Sequence, residues 1–285
     1  MNGVSGVGGT LFVVATPIGN LEDVTLRALR VLGEVAFVAC EDTRLTRNLL
    51  VRHGIDARLV SCREHNEKSR AIEIAAALGR GEDVALVTDA GVPGVSDPGR
   101  LVVAAAIAAG ACVVPVPGPS ALTAALVASG IAAERFAFFG FPPRKGRARE
   151  VWIGEALAFP GAVVAFEAPH RIVYTLKALA AAAPERNASL HREMTKVHEE
   201  ALRGTLAELA LAVASRPPRG EYTLVIAGAA APVAEAGDLD AAIAEARWRV
   251  AEGVSSRDAA RDVAARSGVS RRLVYRALIS DSEEE

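Results

Sequence analysis

Short, wholly apolar runs alternate with longer amphipathic stretches over the first 117 residues. The runs at 11–15, 35–39, 59–60 and 84–88 predict strands, and the stretches at 24–32, 43–53 and 69–78 predict helices. Strands that are apolar at every position are buried on both faces, the habit of parallel sheets, so this alternation predicts a doubly wound parallel sheet. The tract 101–117 is cut by Gly110 and ends in two prolines. It is too short and interrupted to span a bilayer and reads as a helix followed by a strand through Val116.

A second α/β pattern, expected to form a mixed sheet, runs from about 122 to 231. Its strands fall at 137–140, 162–166, 188–190 and 222–227, with helices at 171–182 and 206–214. Residues 229–237 are small, unpatterned and broken by Pro232 and Gly237, as in a linker. From 238 to 280 the pattern is purely helical, and 256–278 resembles a helix-turn-helix. Ala260 and Ala264 permit close packing, Gly268 supplies the turn, Ser270 caps the second helix, and Val274 and Leu278 face inward. Three domains are therefore expected, at 11–121, 122–231 and 238–280.

Composition narrows the class. A net charge of −2 over 285 residues excludes a globally basic nucleic-acid wrapper while leaving room for local basic segments. Cys40, Cys62 and Cys112 have no metal-binding spacing and read as reduced core residues of a cytoplasmic protein. Residues 1–10 are glycine-rich and read as a flexible tail without a secretory signal, and the acidic residues 281–285 as a disordered tail.

The strand ends carry the chemistry. In the first domain they are TPIGN at 16–20, EDTR at 41–44, REHNE at 63–67, DAGVPGVSDPG at 89–99 and PGPSA at 117–121. Small molecules bind outside the carboxyl ends of strands in open α/β sheets, and glycine lets the backbone approach them, so five such loops predict one site. In the second domain, EAPHR at 167–171 and the charged run 191–200 end two more strands. No phosphate-loop signature appears, the glycines at 6–10 precede a strand instead of following one, and no metal-ligand spacing is present. What remains suits an uncharged or zwitterionic cofactor held largely by backbone groups.

These motifs, together with GFPP at 140–143, PHR at 169–171 and TKVHEE at 195–200, closely resemble in order those of the 16S ribosomal RNA cytidine 2′-O-methyltransferase family, within the tetrapyrrole methylase superfamily. Departures are small: Arg63 stands where the family often has His, Phe166-Glu167-Ala168 replaces Tyr-Glu-Ser, and Pro142-Pro143 replaces Leu-Pro. The resemblance implies S-adenosylmethionine as methyl donor, a cofactor cleft between two α/β domains, a homodimer, and a cytidine 2′-hydroxyl in the decoding region of 16S rRNA, in the small ribosomal subunit, as acceptor. It further implies cofactor contacts at Ile18, Ala90, Gly91, Val92, Val95, Ser120, Ala121, Phe166 and Met194.

Displacement at the sulfonium methyl needs alignment and a proton acceptor. Glu41, Asp42, Glu167, His170 and Lys196 are the candidates, each equally suited to a structural role such as Asp42 pairing Arg44 or Glu167 pairing Arg171. Lys196 is the sharpest, on the expectation that a neighbouring sulfonium lowers its pKa. His65, His191 and His198 titrate near neutrality but read more readily as packing or surface residues. Arg144, Lys145, Arg147 and Arg149 form a basic, mobile loop suited to RNA phosphates. Two rivals remain: methylation of a tetrapyrrole or other small substrate, and a non-enzymatic regulator whose residues 256–278 read DNA.

Overall fold

The computed structural model describes residues 8–215, 217–229 and 238–280. Residues 230–237 of the linker expected at 229–237, residues 1–7 of the tail expected at 1–10, and 281–285 lie outside the described residues; Gly9 and Thr10, expected in that tail, are instead tied to the first sheet, Gly9 N donating to Leu78 O at 2.7 Å. Backbone contacts group the chain into two compact units, 1–228 and 229–285.

In the first unit the chain runs β1 (Thr10–Val14), α1 (Leu26–Glu34), β2 (Phe37–Cys40), α2 (Thr43–Arg52), β3 (Leu59–Ser61), α3 (Glu67–Gly79), β4 (Val84–Leu86), α4 (Arg100–Ala108) and β5 (Cys112–Val116). The five strands form a wholly parallel sheet in the order β3-β2-β4-β1-β5. Alternate side chains on one strand enter different cores. Phe37 and Ala39 pack with Leu11, Ile74 and Leu78 on one face, while Val38 and Cys40 pack with Val31, Leu32 and Leu50 on the other. Both faces are covered, which is why the strands read as continuous apolar runs. Each fully buried leucine or isoleucine here contributes roughly 1.5–3 kcal/mol. Local signals fix the helix starts: the Thr25 side chain accepts from Ala28 N, and Asp42 from Arg44 N.

Next come α5 (Ala121–Ser129), β6 (Phe136–Phe138), α6 (Arg147–Ala158), β7 (Ala162–Glu167), α7 (Pro169–Ala182), β8 (Asn187–Arg192), β9 (Glu200–Thr205), α8 (Leu206–Ala214) and β10 (Tyr222–Ile226). These strands form a mixed sheet, β6-β7-β10-β8-β9, in which β10 runs antiparallel to both of its neighbours. Three elements escape the sequence reading. Strand β9 is a polar edge strand without apolar alternation, α5 is too uniformly apolar to show a face, and α6 begins inside the stretch expected to be a mobile loop.

The second unit holds α9 (Leu239–Ala251), α10 (Ser256–Ser267) and α11 (Arg271–Ser280). Ala246, Ala260, Val263, Val274 and Leu278 form its core, and Gly268 ends α10 at φ +71°. Among the described residues no helix is long and apolar enough to cross a membrane. Cys40 and Cys62 are buried and unbridged; burial pushes the Cys62 thiol up to about 11, which removes it as a nucleophile.

Candidate functional site

Parallel pairing puts the carboxyl ends of β1, β4 and β5 at one edge of the first sheet. There the loops after β1 and β4 are stitched together: Thr16 N donates to Gly91 O at 2.9 Å, and Gly91 N to Thr16 O at 3.1 Å. Gly91 holds φ +85°, a conformation costly for other residues, and a Cβ there would lie 3.5 Å from Ile18 Cγ2. The far end of the glycine-rich loop is anchored by buried Glu67, whose Oε1 accepts from Gly99 N and Leu101 N, both at 2.8 Å. Residues 63–67 therefore contribute an anchor for this loop through Glu67.

In the mixed sheet, Tyr222 pairs with both Glu167 and Arg192. The ends of β7 and β8 and the start of β10 thus share an edge, which gathers Glu167, Glu193 to Lys196, and Glu221. This edge meets the first sheet's loops directly: Asn20 N donates to Thr195 Oγ1 at 3.0 Å, and a Cβ on Gly19 would lie 2.4 Å from Lys196 Cγ. Glu193 and Thr195, flanking Met194, hold φ of +50° and +65°. Non-glycine residues hold such backbone only where the surroundings enforce it.

Between the two edges lies a cavity of about 360 Å³. All nine positions expected to contact a cofactor line it: Ile18, Ala90, Gly91, Val92, Val95, Ser120, Ala121, Phe166 and Met194. Its walls are backbone, small side chains and an aromatic corner, where Phe166 packs edge-on against Phe138 at 4.8 Å and Phe141 at 5.7 Å. Such a lining suits a nucleoside bearing a delocalised or weakly hydrated cation. A second cavity, of about 470 Å³, shares Ile18, Ala90 and Glu221 with the first.

The five candidate proton acceptors fare differently. Asp42 caps α2 and pairs with Arg44 at 2.6 Å, and the hydrogen-bonded guanidinium holds its carboxyl well below the usual range. Glu167 is buried, forms an ion pair with Arg171 Nε at 3.1 Å, accepts from Thr175 Oγ1 at 2.5 Å, and receives Ala168 N. Glu41 accepts from Thr88 Oγ1 at 3.1 Å. His170 is exposed on α7. Lys196 lines the second cavity and donates to Glu193 Oε1 and Glu221 Oε2, both at 3.0 Å. Burial acts to lower its pKa, but these two hydrogen bonds outweigh burial and raise it. In the chain by itself the direction is thus opposite to the one expected beside a sulfonium, because two carboxylates meet the ammonium.

One carboxylate missing from the candidates stands out. Three acidic side chains line the first cavity, Asp97, Glu167 and Glu221; the latter two are ion-paired, and Asp97 has no cationic partner among the described residues. Burial, then the neighbouring Glu41 carboxylate, push Asp97 up to about 6. Its neighbour Ser96 holds φ +66°. The signal was local, since Asp97 lies within the glycine-rich motif itself. Glu221 is different: only the antiparallel pairing of β10 brings it here. His191 is buried with its Nε2 2.9 Å from Ser189 Oγ; burial lowers its pKa and keeps the ring neutral.

The basic segment also divides. Arg144 and Lys145 are exposed before α6, and Arg147 is exposed in its first turn. Arg149 turns inward, donating to Thr175 Oγ1 at 3.0 Å and to Arg144 O at 3.2 Å. The mobile loop expected over 144–149 thus gives way, from Arg147 onward, to a helix, with Arg149 in a structural role.

Residues 10–210 match the family described as Tetrapyrrole (Corrin/Porphyrin) Methylases. Among curated relatives, "Ribosomal RNA small subunit methyltransferase I" of Micromonospora olivasterospora is 48% identical over 237 residues, covering 83% of this chain and 75% of that protein. The protein of the same name from Halalkalibacterium halodurans is 39% identical over 270 residues, covering 94% and 93%. Among solved structures, uroporphyrin-III-C-methyltransferase from Thermus thermophilus is similar with TM-score 0.54 and 25% identity, covering 76% of this chain and 94% of that one.

Proposed function

Since the chain belongs to the ribosomal RNA small subunit methyltransferase I family of tetrapyrrole (corrin/porphyrin) methylases, we propose that it methylates the 2′-hydroxyl of a cytidine in 16S rRNA. S-adenosylmethionine is the methyl donor, and when bound it supplies an electrophilic sulfonium methyl. The observation that carries the reading is the first cavity: loops from both sheets surround it with backbone, small and aromatic groups and, in Asp97, a carboxylate with no cationic partner among the described residues. Ile18, Gly91 and Val92 would hold the donor from the first sheet, and Phe166 and Met194 from the second.

Alignment of two bound reactants supplies most of the rate gain in such a displacement. The hydroxyl must also lose its proton, and an Asp97 carboxylate oxygen accepts it. A carboxylate raised to about 6 is largely ionised at neutral pH yet more basic than an ordinary aspartate. Glu167 and Lys196 hold the walls through their ion pairs. Exposed Arg144, Lys145 and Arg147 grip phosphate, which favours RNA over a tetrapyrrole acceptor. The protein acts on the small subunit in the cytoplasm and as a homodimer, the last checked by light scattering.

The test incubates the purified chain with labelled S-adenosylmethionine and small-subunit particles lacking the modification. Label at a cytidine 2′-oxygen is expected; label on a base or on another nucleotide, or none, contradicts the proposal.

A further inference from the structure

The second cavity has walls and polar groups unlike those of the first. Leu45, Asn48 and Leu49 share one face of α2, since residues three and four apart coincide on a helix, and all three line this cavity. Pro17 and Ile18, from the loop after β1, line it as well, so two elements give the slot aliphatic surface. Leu45 is 51% exposed, which leaves apolar surface for a ligand to cover.

Two polar side chains in this slot, Asp89 and Asn48, lie outside the Lys196–Glu221 ion pair and have unused hydrogen-bonding capacity. Asp89 Oδ1 accepts from Asp42 N at 2.8 Å, which fixes the carboxylate, while its other oxygen has no hydrogen bond or ion pair among the described residues. The Asn48 amide likewise has no hydrogen-bond partner among the described residues. The slot therefore presents a fixed carboxylate acceptor, which takes only donors, and an amide that donates or accepts.

We propose that the second cavity is the acceptor-nucleoside pocket, with the base between Leu45 and Pro17 and its edge read by Asp89 and Asn48. This rests on the reading of the chain as a cytidine 2′-O-methyltransferase and deepens it. Cytosine offers a 4-amino donor to the carboxylate and N3 and O2 acceptors to the amide. Uracil places a carbonyl oxygen where that amino group stands, against the carboxylate, and so sets two acceptors facing each other. Because Ile18, Ala90 and Glu221 border both cavities, a base seated here brings its ribose to the mouth of the donor cavity. A nucleotide in a structured RNA reaches such a slot only by leaving its stack, and aliphatic lining suits a base swung out in that way.

The test uses the full chain and small-subunit particles carrying cytidine or uridine at the target position, with methylation mapped and calorimetry on S-adenosylmethionine as the check on folding. Asp89→Asn keeps an oxygen for Asp42 N and turns an amide nitrogen toward the pocket. It is expected to compress the cytidine-over-uridine preference by about 100-fold, at little change in donor affinity. Asn48→Ala, on an exposed helical position, is expected to lower kcat/KM for the cytidine particle by about 10-fold with donor affinity unchanged. It carries the test alone if Asp89→Asn does not fold. A wild-type preference that survives Asp89→Asn in a folded protein overturns the pocket while leaving the activity standing. Unchanged kcat/KM in Asn48→Ala overturns it equally. Failure of the wild type to label cytidine overturns the functional reading from which the pocket follows.

Discussion

The two sheets of the first unit have the same number of strands and meet the cleft in opposite ways. The parallel sheet offers backbone, glycine and short side chains, and although Asp42 pairs with Arg44 there, Asp97, Asp89 and Asn48 form no ion pair among the described residues. The mixed sheet offers strongly charged groups, yet Glu167, Lys196 and Glu221 are already matched to ions of their own. The difference follows from topology. Parallel strands bring all their carboxyl ends to one edge, where loops are spaced by the strands and reach into solvent or ligand. In the mixed sheet, β10 returns between β7 and β8 and sets Glu221 among their charged ends, so charge finds charge. A strand-end charge is therefore a weak sign of catalysis until its neighbours are known.

The largest expected effect lies on the parallel side. Gly91→Val would force a β-branched residue to φ +85° and fill the space beside Ile18, and titration calorimetry is expected to show at least about 100-fold weaker donor binding. Donor affinity within two-fold of wild type would break the comparison. On the mixed-sheet side, Glu167→Ala strands the partly buried Arg171 and removes the acceptor of Thr175. About 3–5 kcal/mol of stability should be lost in urea unfolding, as for other broken buried pairs. A loss below about 1 kcal/mol would show that Glu167 is not structural.

Smaller effects separate Asp97 from Lys196. Asp97 is raised to about 6, so the wild-type rate should fall as pH drops through 6, and Asp97→Asn should be slow with that limb absent. The same shift has a stability sign. The folded chain keeps the Asp97 proton to higher pH than the unfolded chain does, so the stabilisation present at low pH is lost as pH rises through about 6. Asp97→Asn should therefore gain thermal stability relative to wild type above pH 6 and not below pH 4. Lys196→Met, by contrast, should slow single-turnover methylation by less than about 10-fold and keep the acid limb, because its ammonium is committed to Glu193 and Glu221. A pH profile that changes in Lys196→Met and not in Asp97→Asn would reverse the two assignments.

Much of the parallel half is legible in the chain. Its strands are buried on both faces, and its loops carry glycines and prolines whose conformational demands are local. The nine positions that line the first cavity are those implied by the family resemblance that these motifs carry, and conformational demands alone do not single them out. Less of the mixed half is legible, because its arrangement depends on distant partners. Strand β9 has a polar pattern that only pairing with β8 explains. Arg149 looks like its basic neighbours until α6 turns it toward Thr175. Lys196 looks like a base until β10 supplies Glu221.

The central claim is that loops from both sheets close around the methyl donor. A crystal structure of the chain with S-adenosylhomocysteine tests it most directly. The ligand is predicted to lie between the Gly91 backbone and Phe166, within reach of Asp97 and Met194. Density for it at any other place, or none there at saturating concentration, would contradict the account.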